Sequence, residues 1–321
     1  MAAAANPPGF IRSYNPIKDA DEVIQLIEES FNLKNDPESR SVINQMRFNA
    51  ERLREGGWLF SPGSVHPGFV WVVDERIVGN ISVIFFFEKL RQIALIANVA
   101  VQPEYQQMGI ATLLTRHALR FIKQKRVSEV WLQVSSDNQT AQGLYAGLGF
   151  QSVRRLNNWI KEKRLSQGNW SNSLEMESLW MEPRRFSDWS TQKRWLEETY
   201  PCDTRWYSSV KFSLFSPLSF LNPLNWDEFD VLRHYALRQE NSLLGLLSWQ
   251  RGAISRSDNL WLALAKDEYE DRNTRFLLSK FFDKEWSGRP LRVEYPEGRA
   301  EKAFENLGFR LARRLEWMKL K

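Results

Sequence analysis

The sequence predicts an α/β protein built twice: two tandem domains, each a central mixed β-sheet flanked by helices. Three observations lead there. Strand and helix signals alternate along the first half. The same succession recurs along the second half. The two halves also share residues at a fixed spacing. Residues 132–156 set against 291–315, at a constant offset of 159, return nine identities without a gap. Leu132, Val134, Ala141, Leu148, Gly149, Phe150, Arg154, Arg155 and Leu156 meet Leu291, Val293, Ala300, Leu307, Gly308, Phe309, Arg313, Arg314 and Leu315. Self-similarity of this kind marks two copies of one supersecondary plan. Upstream, Glu104-Tyr105 and Leu113-Leu114 meet Glu268-Tyr269 and Leu277-Leu278 at an offset of 164, so the second copy is five residues shorter between the two segments.

The elements follow in order. Ile11 and Arg12 open a short strand. Residues 19–31 carry helical periodicity, with Val23, Ile24, Leu26, Ile27 and Phe31 as the apolar face. Residues 41–53 read as a second helix. Phe69 to Val73 and Ile77 to Phe87, joined at Asp74-Glu75-Arg76, read as a hairpin. Leu95 to Val101 is a strand closed by Pro103. A glutamine- and glycine-bearing loop leads into a helix from Gly109 to Lys125. Val130 to Val134 is a strand, and Thr140 to Leu148 a helix stopped by Gly149. Phe150 to Val153 is expected to start a last hairpin. The polar run Ser166-Gln167-Gly168-Asn169-Trp170-Ser171-Asn172-Ser173 reads as a linker. The expected division is therefore 1–165 for the first domain, 166–185 for the linker and 186–321 for the second. Beyond the linker, Tyr235–Leu237 and Leu243–Trp249 form a second hairpin. Leu260–Ala265 and Leu291–Glu294 are strands, and Thr274–Trp286 and Arg299–Leu307 helices, the latter stopped by Gly308.

Composition bounds the function. With 321 residues, 43% hydrophobic and 26% charged, this is ordinary globular material. No apolar run approaches the ~18 residues of a membrane helix. The opening Met1-Ala2-Ala3-Ala4-Ala5-Asn6-Pro7-Pro8 lacks the charged start and apolar core of a secretory signal, so a cytoplasmic protein is expected. One cysteine, Cys202, leaves no internal disulfide framework, and His66, His117 and His234 form no metal-ligand spacing, so no metal is expected. Net charge is +5, and the densest basic cluster, Lys161 to Arg164, is too short for a nucleic-acid stripe. A mild basic surplus also suits a phosphorylated ligand.

Between the strand ending at Val101 and the helix beginning near Gly109 lies Gln106-Gln107-Met108-Gly109-Ile110-Ala111. Glycine permits a backbone approach that a Cβ would block. The unpaired N–H groups of a first helical turn, reinforced by the helix dipole, form an anion site. One glycine before a helix is by itself common. The context is more specific. Gln106, Gly109 and Ala111 resemble the acyl-CoA motif Gln/Arg-x-x-Gly-x-Gly/Ala of the GNAT superfamily. Asn98-Val99-Ala100-Val101-x-Pro103 looks like that family's fourth strand. Asn138-x-x-Ala141-x-x-Leu144-Tyr145-x-x-Leu148-Gly149-Phe150 is similar to its second motif. The resemblance covers roughly residues 10–165.

The resemblance implies an N-acetyltransferase that passes the acetyl group of acetyl-CoA directly to a primary amine of a small molecule or peptide. It assigns coenzyme binding to Val99, Ala100, Val101, Gln106, Gln107, Met108, Gly109, Ile110, Ala111, Thr112, Asn138 and Tyr145. The backbone of Val99 and Val101 would pair with pantetheine like an added strand, and an N–H of Val99 or Ala100 would steady the oxyanion. Asn138 would hold the coenzyme; its plainer reading is a helix N-cap. Tyr145 is the expected catalytic residue, hydrogen-bonding the leaving thiolate. With ordinary pKa values of ~10 and ~8.5, full transfer of its proton is uphill by ~2 kcal/mol. Its plainer reading is a packed amphipathic aromatic.

The base is open. Relatives that acetylate protein N-termini often carry glutamate in mid-fifth strand, where this chain has Gln133, and a neutral amide cannot take the proton. Glu88 is the alternative nearest by topology, and Glu28 and Glu29 are others. Each also reads as a solvated carboxylate, and a water relay needs none of them. His117, at helical spacing with Ile110, Leu113, Leu114 and Phe121, reads as packing.

The second copy keeps the framework and drops the chemistry. Glu270-Asp271-Arg272-Asn273-Thr274-Arg275 replaces the glycine loop, Glu297 replaces Asn138, and Phe304 replaces Tyr145. A degenerate domain that shapes or covers the acceptor site is expected, with its tryptophans (Trp180, Trp189, Trp195, Trp206, Trp226) in core or interface. The competing readings are a non-catalytic acyl-CoA sensor and an acyltransferase with another acyl donor. An internal repeat that satisfies its own pairing favours a monomer.

Overall fold

The structure is a computed structural model. It describes residues 7–31, 37–55, 66–88, 91–162, 178–201, 203–207, 212–219, 232–252, 257–286 and 288–321. The chain divides into two compact units, Met1–Arg154 with Glu316–Lys321, and Arg155–Leu315.

The first unit opens with β1 (Phe10–Ser13), α1 (Ala20–Phe31) and α2 (Pro37–Arg54). The strands β2 (Gly68–Val73), β3 (Arg76–Glu88) and β4 (Arg91–Val101) run antiparallel to one another, β1 pairs with β2, and α3 (Ile110–Gln124) returns the chain so that β5 (Glu129–Ser135) lies parallel to β4. A strand–helix–parallel-strand crossover beside antiparallel hairpins makes the sheet mixed. α4 (Gln139–Gly147) follows β5, and β6 (Phe150–Lys161) begins in this unit.

Period decides which residues go inside. On α3, Ile110, Leu114, Ala118 and Ile122 recur every fourth residue and are buried against Val78, Ile81, Ala94, Ile96 and Leu132. Gly79 lets this helix approach the sheet. A Cβ there would stand 3.1 Å from Leu114 and 3.2 Å from Ile110. His117 packs edge-on against Phe69 at 4.5 Å, in keeping with a packing role. On the opposite face, Val23, Ile24, Leu26 and Ile27 of α1 cover Val70, Val72, Ile77 and Ala100. Asp19, buried just before α1, accepts from the Asn15 N–H at 2.7 Å and from both Arg12 Nη atoms at 2.6 and 2.9 Å.

The last six residues complete this unit. Trp317 meets Trp131 edge-on at 6.2 Å, and Lys319 Nζ lies 3.1 Å from Glu129. Met318 and Leu320 join the apolar cluster that holds Tyr145 and Phe150, and the Lys321 N–H donates to the Gly149 carbonyl at 3.3 Å.

The second unit repeats the plan with β7 (Leu179–Pro183), α5 (Trp189–Thr199), β8 (Leu232–Gln239), β9 (Ser242–Gln250), β10 (Asp258–Leu264), α6 (Glu270–Lys284), β11 (Leu291–Pro296) and α7 (Glu301–Asn306), and β12 (Arg310–Leu320) leaves it. Its strands run antiparallel except for β10 and β11, which are parallel. The edge beyond β11 is filled by β6, with Leu291 opposite Lys161 and Pro296 opposite Leu156. Burial removes Lys161 from water: its Nζ donates to the Leu307 carbonyl at 2.6 Å and lies over Phe282 and Trp286.

Two expectations need correction. Phe150 does not start a hairpin; β6 continues unbroken for 12 residues into the second unit. The boundary falls at Arg154/Arg155 rather than at residue 165, and Glu316–Lys321 return to the first unit. Leu179–Pro183, inside the stretch read as linker, is a strand paired with β8, while residues 163–177 lie outside the described residues. Trp195 is buried, Trp180 is exposed, and Trp226 lies outside the described residues.

Candidate active site

The site begins where two parallel strands part. β4 and β5 pair only from Ile93 opposite Glu129 to Ile96 opposite Leu132. From Ala97 to Val101 and from Gln133 to Ser135, neither strand has the other as partner. On its other edge β4 keeps pairing with β3, but with a bulge: Ser82 faces Ala97 and Asn80 faces Ala100, so Asn98 and Val99 together oppose Ile81. Asn98 takes the left-handed conformation, φ 52°. Its carbonyl accepts from buried Asn80 Nδ2 at 2.8 Å, and its own Nδ2 donates to Ser82 Oγ at 3.3 Å. Val99 and Val101 pack on the α3 side and Ala100 on the α1 side. An open strand edge of this kind accepts an extended ligand as an added strand.

At the far end of β4 the chain makes a single 3-10 turn, Pro103–Tyr105, and enters α3. Two left-handed residues shape the entry, Gln107 at φ 62° and Gly109 at φ 83°. Among the described residues, no acceptor lies on the N–H groups from Gln107 to Thr112, and the first bond of the helix runs from the Leu113 N–H to the Gly109 carbonyl. A Cβ on Gly109 would meet nothing within 4 Å. The glycine therefore faces open space, with free N–H groups of the first turn beside it. Gln106, Gln107, Met108 and Gly109 are exposed, Ala111 and Thr112 half-buried and Ile110 buried. Gln106 has a task inside the loop: its Nε2 donates to the Val101 carbonyl at 3.0 Å, tying the loop to the strand end.

Across the gap, β5 gives way to α4. Asn138 is its N-cap, Oδ1 accepting from the Ala141 N–H at 2.9 Å. The plainer reading of this residue is thus realised, and its amide nitrogen is left over. Gln142 caps the same turn through the Ser135 and Ser136 carbonyls. Tyr145 sits 7% exposed among the apolar residues below the gap, its ring edge-on to Phe150 at 6.0 Å. Its hydroxyl has no hydrogen-bond partner among the described residues. Burial pushes its pKa up to about 12.

The structure does not bring Glu88 to this group. Glu88 opposes Arg91 at the closed end of the β3–β4 hairpin and is engaged by its guanidinium. At ~3.3 Å per residue, the six residues from Arg91 to Ala97 put it roughly 20 Å from where the strands part. Glu28 pairs with Arg47 at 2.9 Å, and Glu29 accepts from Gln25. Gln133 stands on β5 where the pairing with β4 has just ended. Asn80, Ser82 and Asn98 were missed as a set. Their signal was two polar residues, Asn80 and Ser82, inside the apolar run from Ile77 to Phe87.

The second unit has the same fork and fills it. β10 and β11 pair only through Asp258–Leu260 and Leu291–Val293. Past that point Tyr200 is buried, its hydroxyl accepting from the Leu262 N–H at 3.4 Å and its ring meeting Trp261 at 5.3 Å and Phe212 at 5.7 Å. At the place of the glycine loop, Glu270 is 7% exposed and binds Arg299 Nη2 at 2.7 Å and the Tyr295 hydroxyl at 2.6 Å. Phe304, in the place of Tyr145, stacks on Trp159 at 5.3 Å.

The model of the Acetyltransferase (GNAT) family matches residues 24–150, which hold the fork, the glycine loop, Asn138 and Tyr145. The chain is 36% identical over 64 residues to the ribosomal protein bS18-alanine N-acetyltransferase of Escherichia coli strain K12; that match takes 19% of this chain and 43% of the relative, less than half its length. It is 30% identical over 124 residues to an N-alpha-acetyltransferase of Saccharolobus solfataricus, 36% of this chain and 70% of the relative. In fold it resembles a GCN5-related N-acetyltransferase from Sphaerobacter thermophilus, with TM-score 0.54 and 12% identity over 97% of this chain and 94% of that one. The chain belongs to the GNAT acetyltransferase family.

Proposed function

We propose that the first unit is an N-acetyltransferase that moves the acetyl group of acetyl-CoA onto a primary amine of a small molecule or peptide. The observation that carries this is the conjunction at one end of the sheet: an open strand edge at Ala97–Val101, unpaired N–H groups around Gly109, and the lone hydroxyl of Tyr145. The residues fit the coenzyme. The N–H groups from Gln107 to Thr112 suit its pyrophosphate, through the first-turn dipole. The open edge of β4 suits the amide-bearing pantetheine arm, and a strand N–H at Val99 or Ala100 suits the oxyanion.

In the reaction the amine nitrogen attacks the thioester carbon. The C–N bond forms, the C–S bond breaks, and the nitrogen loses a proton as the thiolate leaves. The family resemblance puts Tyr145 on the leaving-group side. With its pKa near 12 against ~8.5 for a thiol, outright proton transfer from it is uphill by roughly 5 kcal/mol. Its role is a hydrogen bond to the developing thiolate, a smaller demand than general acid catalysis. Both named relatives act on α-amines by name, which supports including peptide N-termini among the acceptors tried first.

The test is release of free thiol from acetyl-CoA against a panel of small amines and peptides. Turnover with any primary amine supports the reading. Tight coenzyme binding without turnover across the panel would reassign the unit as a sensor.

A further inference from the structure

The two units differ in one backbone feature that their shared plan does not require. Their first hairpins superimpose residue by residue at an offset of 166: the turn at Asp74-Glu75 meets Glu240-Asn241, Gly79 meets Gly245, and Ser82 meets Ser248. Both hairpins break register at the same place, between Trp71 and Val72 in one and Leu237 and Arg238 in the other. That irregularity belongs to the fold. The next strand pair is different. β9 and β10 keep one register from Gln250 opposite Asn259 to Gly245 opposite Leu264. β3 and β4 share that regularity only as far as Ser82 opposite Ala97, and then β4 gains a residue at Asn98. The bulge therefore occurs in the unit that has the glycine loop and Tyr145, and the strand pair is regular in the unit that has neither.

The residues that hold the bulge follow the same division. At φ 52°, Asn98 occupies a conformation that asparagine tolerates and β-branched residues resist. Breaking the ladder would leave its carbonyl without a partner inside the protein, which a buried acceptor tolerates poorly. Asn80, 1% exposed, supplies the missing donor at 2.8 Å. Ser82 receives the Asn98 side-chain amide at 3.3 Å. In the regular strand pair of the second unit, the residue at the place of Asn80 is Leu246. An unbulged ladder leaves no orphan carbonyl to serve, and an aliphatic side chain suffices.

The extra residue sits at the fork, two residues after the last pair that β4 makes with β5. An inserted residue bends the strand and resets the alternation of its N–H and C=O groups between the two edges. The segment whose alternation is reset is Val99–Val101, the open edge. We propose that Asn80 is a positioning residue for acetyl transfer: with Ser82 it clamps the Asn98 bulge and so holds the open edge of β4 in the register the reaction uses. The inference rests on the acetyl-transfer reading for its kinetic arm. Its conformational arm stands apart from that reading.

Three variants of the full chain test it. Asn80→Leu installs the residue of the regular strand pair and removes the donor. Asn98→Gly keeps access to positive φ, and Asn98→Val denies it. The readouts are kcat and KM, acetyl-CoA affinity by calorimetry, melting temperature, and amide hydrogen exchange along β4 and at the start of α3. Misaiming one oxyanion donor predicts that Asn80→Leu and Asn98→Val lower kcat by roughly 10- to 100-fold. Coenzyme affinity, anchored at the glycine loop, stays within about threefold of wild type, under 1 kcal/mol. Exchange quickens at Asn98–Ala100 but not at Ile110–Leu113, and Asn98→Gly, which keeps the left-handed backbone and the Asn80 bond but loses the contact with Ser82, falls between wild type and Asn98→Val. Wild-type kcat in folded Asn80→Leu overturns the proposal. So does a loss of kcat that merely tracks falling affinity and melting temperature. If the wild type turns over no amine, the acetyl-transfer reading fails by itself, and the exchange pattern alone decides whether Asn80 holds the bulge.

Discussion

Replacing Gly109 by glutamate separates what the protein needs from what its ligand needs. The residue sits at φ 83°, and a Cβ there would touch nothing within 4 Å. The fold therefore loses only the cost of a side chain in the left-handed region, about 1–2 kcal/mol. In a unit of this size that is a fall of roughly 2–4 °C in Tm per kcal/mol. The ligand loses more. A carboxylate about 5 Å from the nearest pyrophosphate charge, at an effective dielectric constant near 20, opposes binding by about 3 kcal/mol, roughly 200-fold in Kd. At a coenzyme concentration near 100 times the wild-type Kd, ligand stabilisation is about 2.7 kcal/mol; in the variant it shrinks to about 0.2 kcal/mol. Thermal unfolding with and without acetyl-CoA reads both effects in one experiment. Gly109→Ala, which adds the Cβ without the charge, should lie between the two. Wild-type stabilisation by acetyl-CoA in Gly109→Glu would refute the assignment of the pyrophosphate to this helix terminus.

Further predictions bear on the remaining parts. Tyr145→Phe should lower kcat roughly 10- to 100-fold with coenzyme affinity unchanged, and equal turnover of the two proteins would remove the hydroxyl from the mechanism. Because burial raises the Tyr145 pKa from 10.0 to about 12, its contribution to stability is complete below pH 10 and is lost as pH rises through about 12; a pH–rate profile should show no falling limb from this group below that range. In the second unit, Glu270→Gln leaves the half-buried Arg299 without its carboxylate and should cost about 1–3 kcal/mol of that unit's stability, while calorimetry still counts one coenzyme per chain. Trp317→Ala empties a site that is 1% exposed and should cost the first unit about 3–5 kcal/mol in denaturant unfolding. A cost near zero would mean that the C-terminal strand is dispensable to it.

Local features were legible in the sequence and long-range ones were not. The hairpin at Asp74-Glu75, the packing of Ile110, Leu113, Leu114, His117 and Phe121 on α3, and the glycine loop are each written within a short window. The bulge is not. It depends on Asn80 meeting Asn98, 18 residues away, and no window shows which residues will stand opposite each other. Glu88 was misplaced for a related reason. Reading β4 from Leu95 hid the pairing that runs back to Arg91 and carries Glu88 to the closed end of the hairpin. Gln106 was read as a coenzyme contact from its motif, and no motif announces the bond from its Nε2 to the Val101 carbonyl. Phe150 looked like the start of a hairpin because the identities of 154–156 with 313–315 reveal that two strands are alike without revealing which sheet each one joins.

Those matched strands have a consequence for the order in which the chain is used. Immediately after the shared Arg-Arg-Leu run begins in one copy and ends in the other, the chain changes unit: at Arg154/Arg155 it leaves the first, and at Leu315/Glu316 it comes back. Each copy therefore finishes its sheet with a strand whose beginning belongs to the other. Cutting the chain after Arg154 would take Met318 and Leu320 from the core around Tyr145, and Trp317 from its edge-on contact with Trp131. The sheet of the first unit is thus finished only after the chain has passed through the whole second unit, whatever chemistry that unit keeps or lacks.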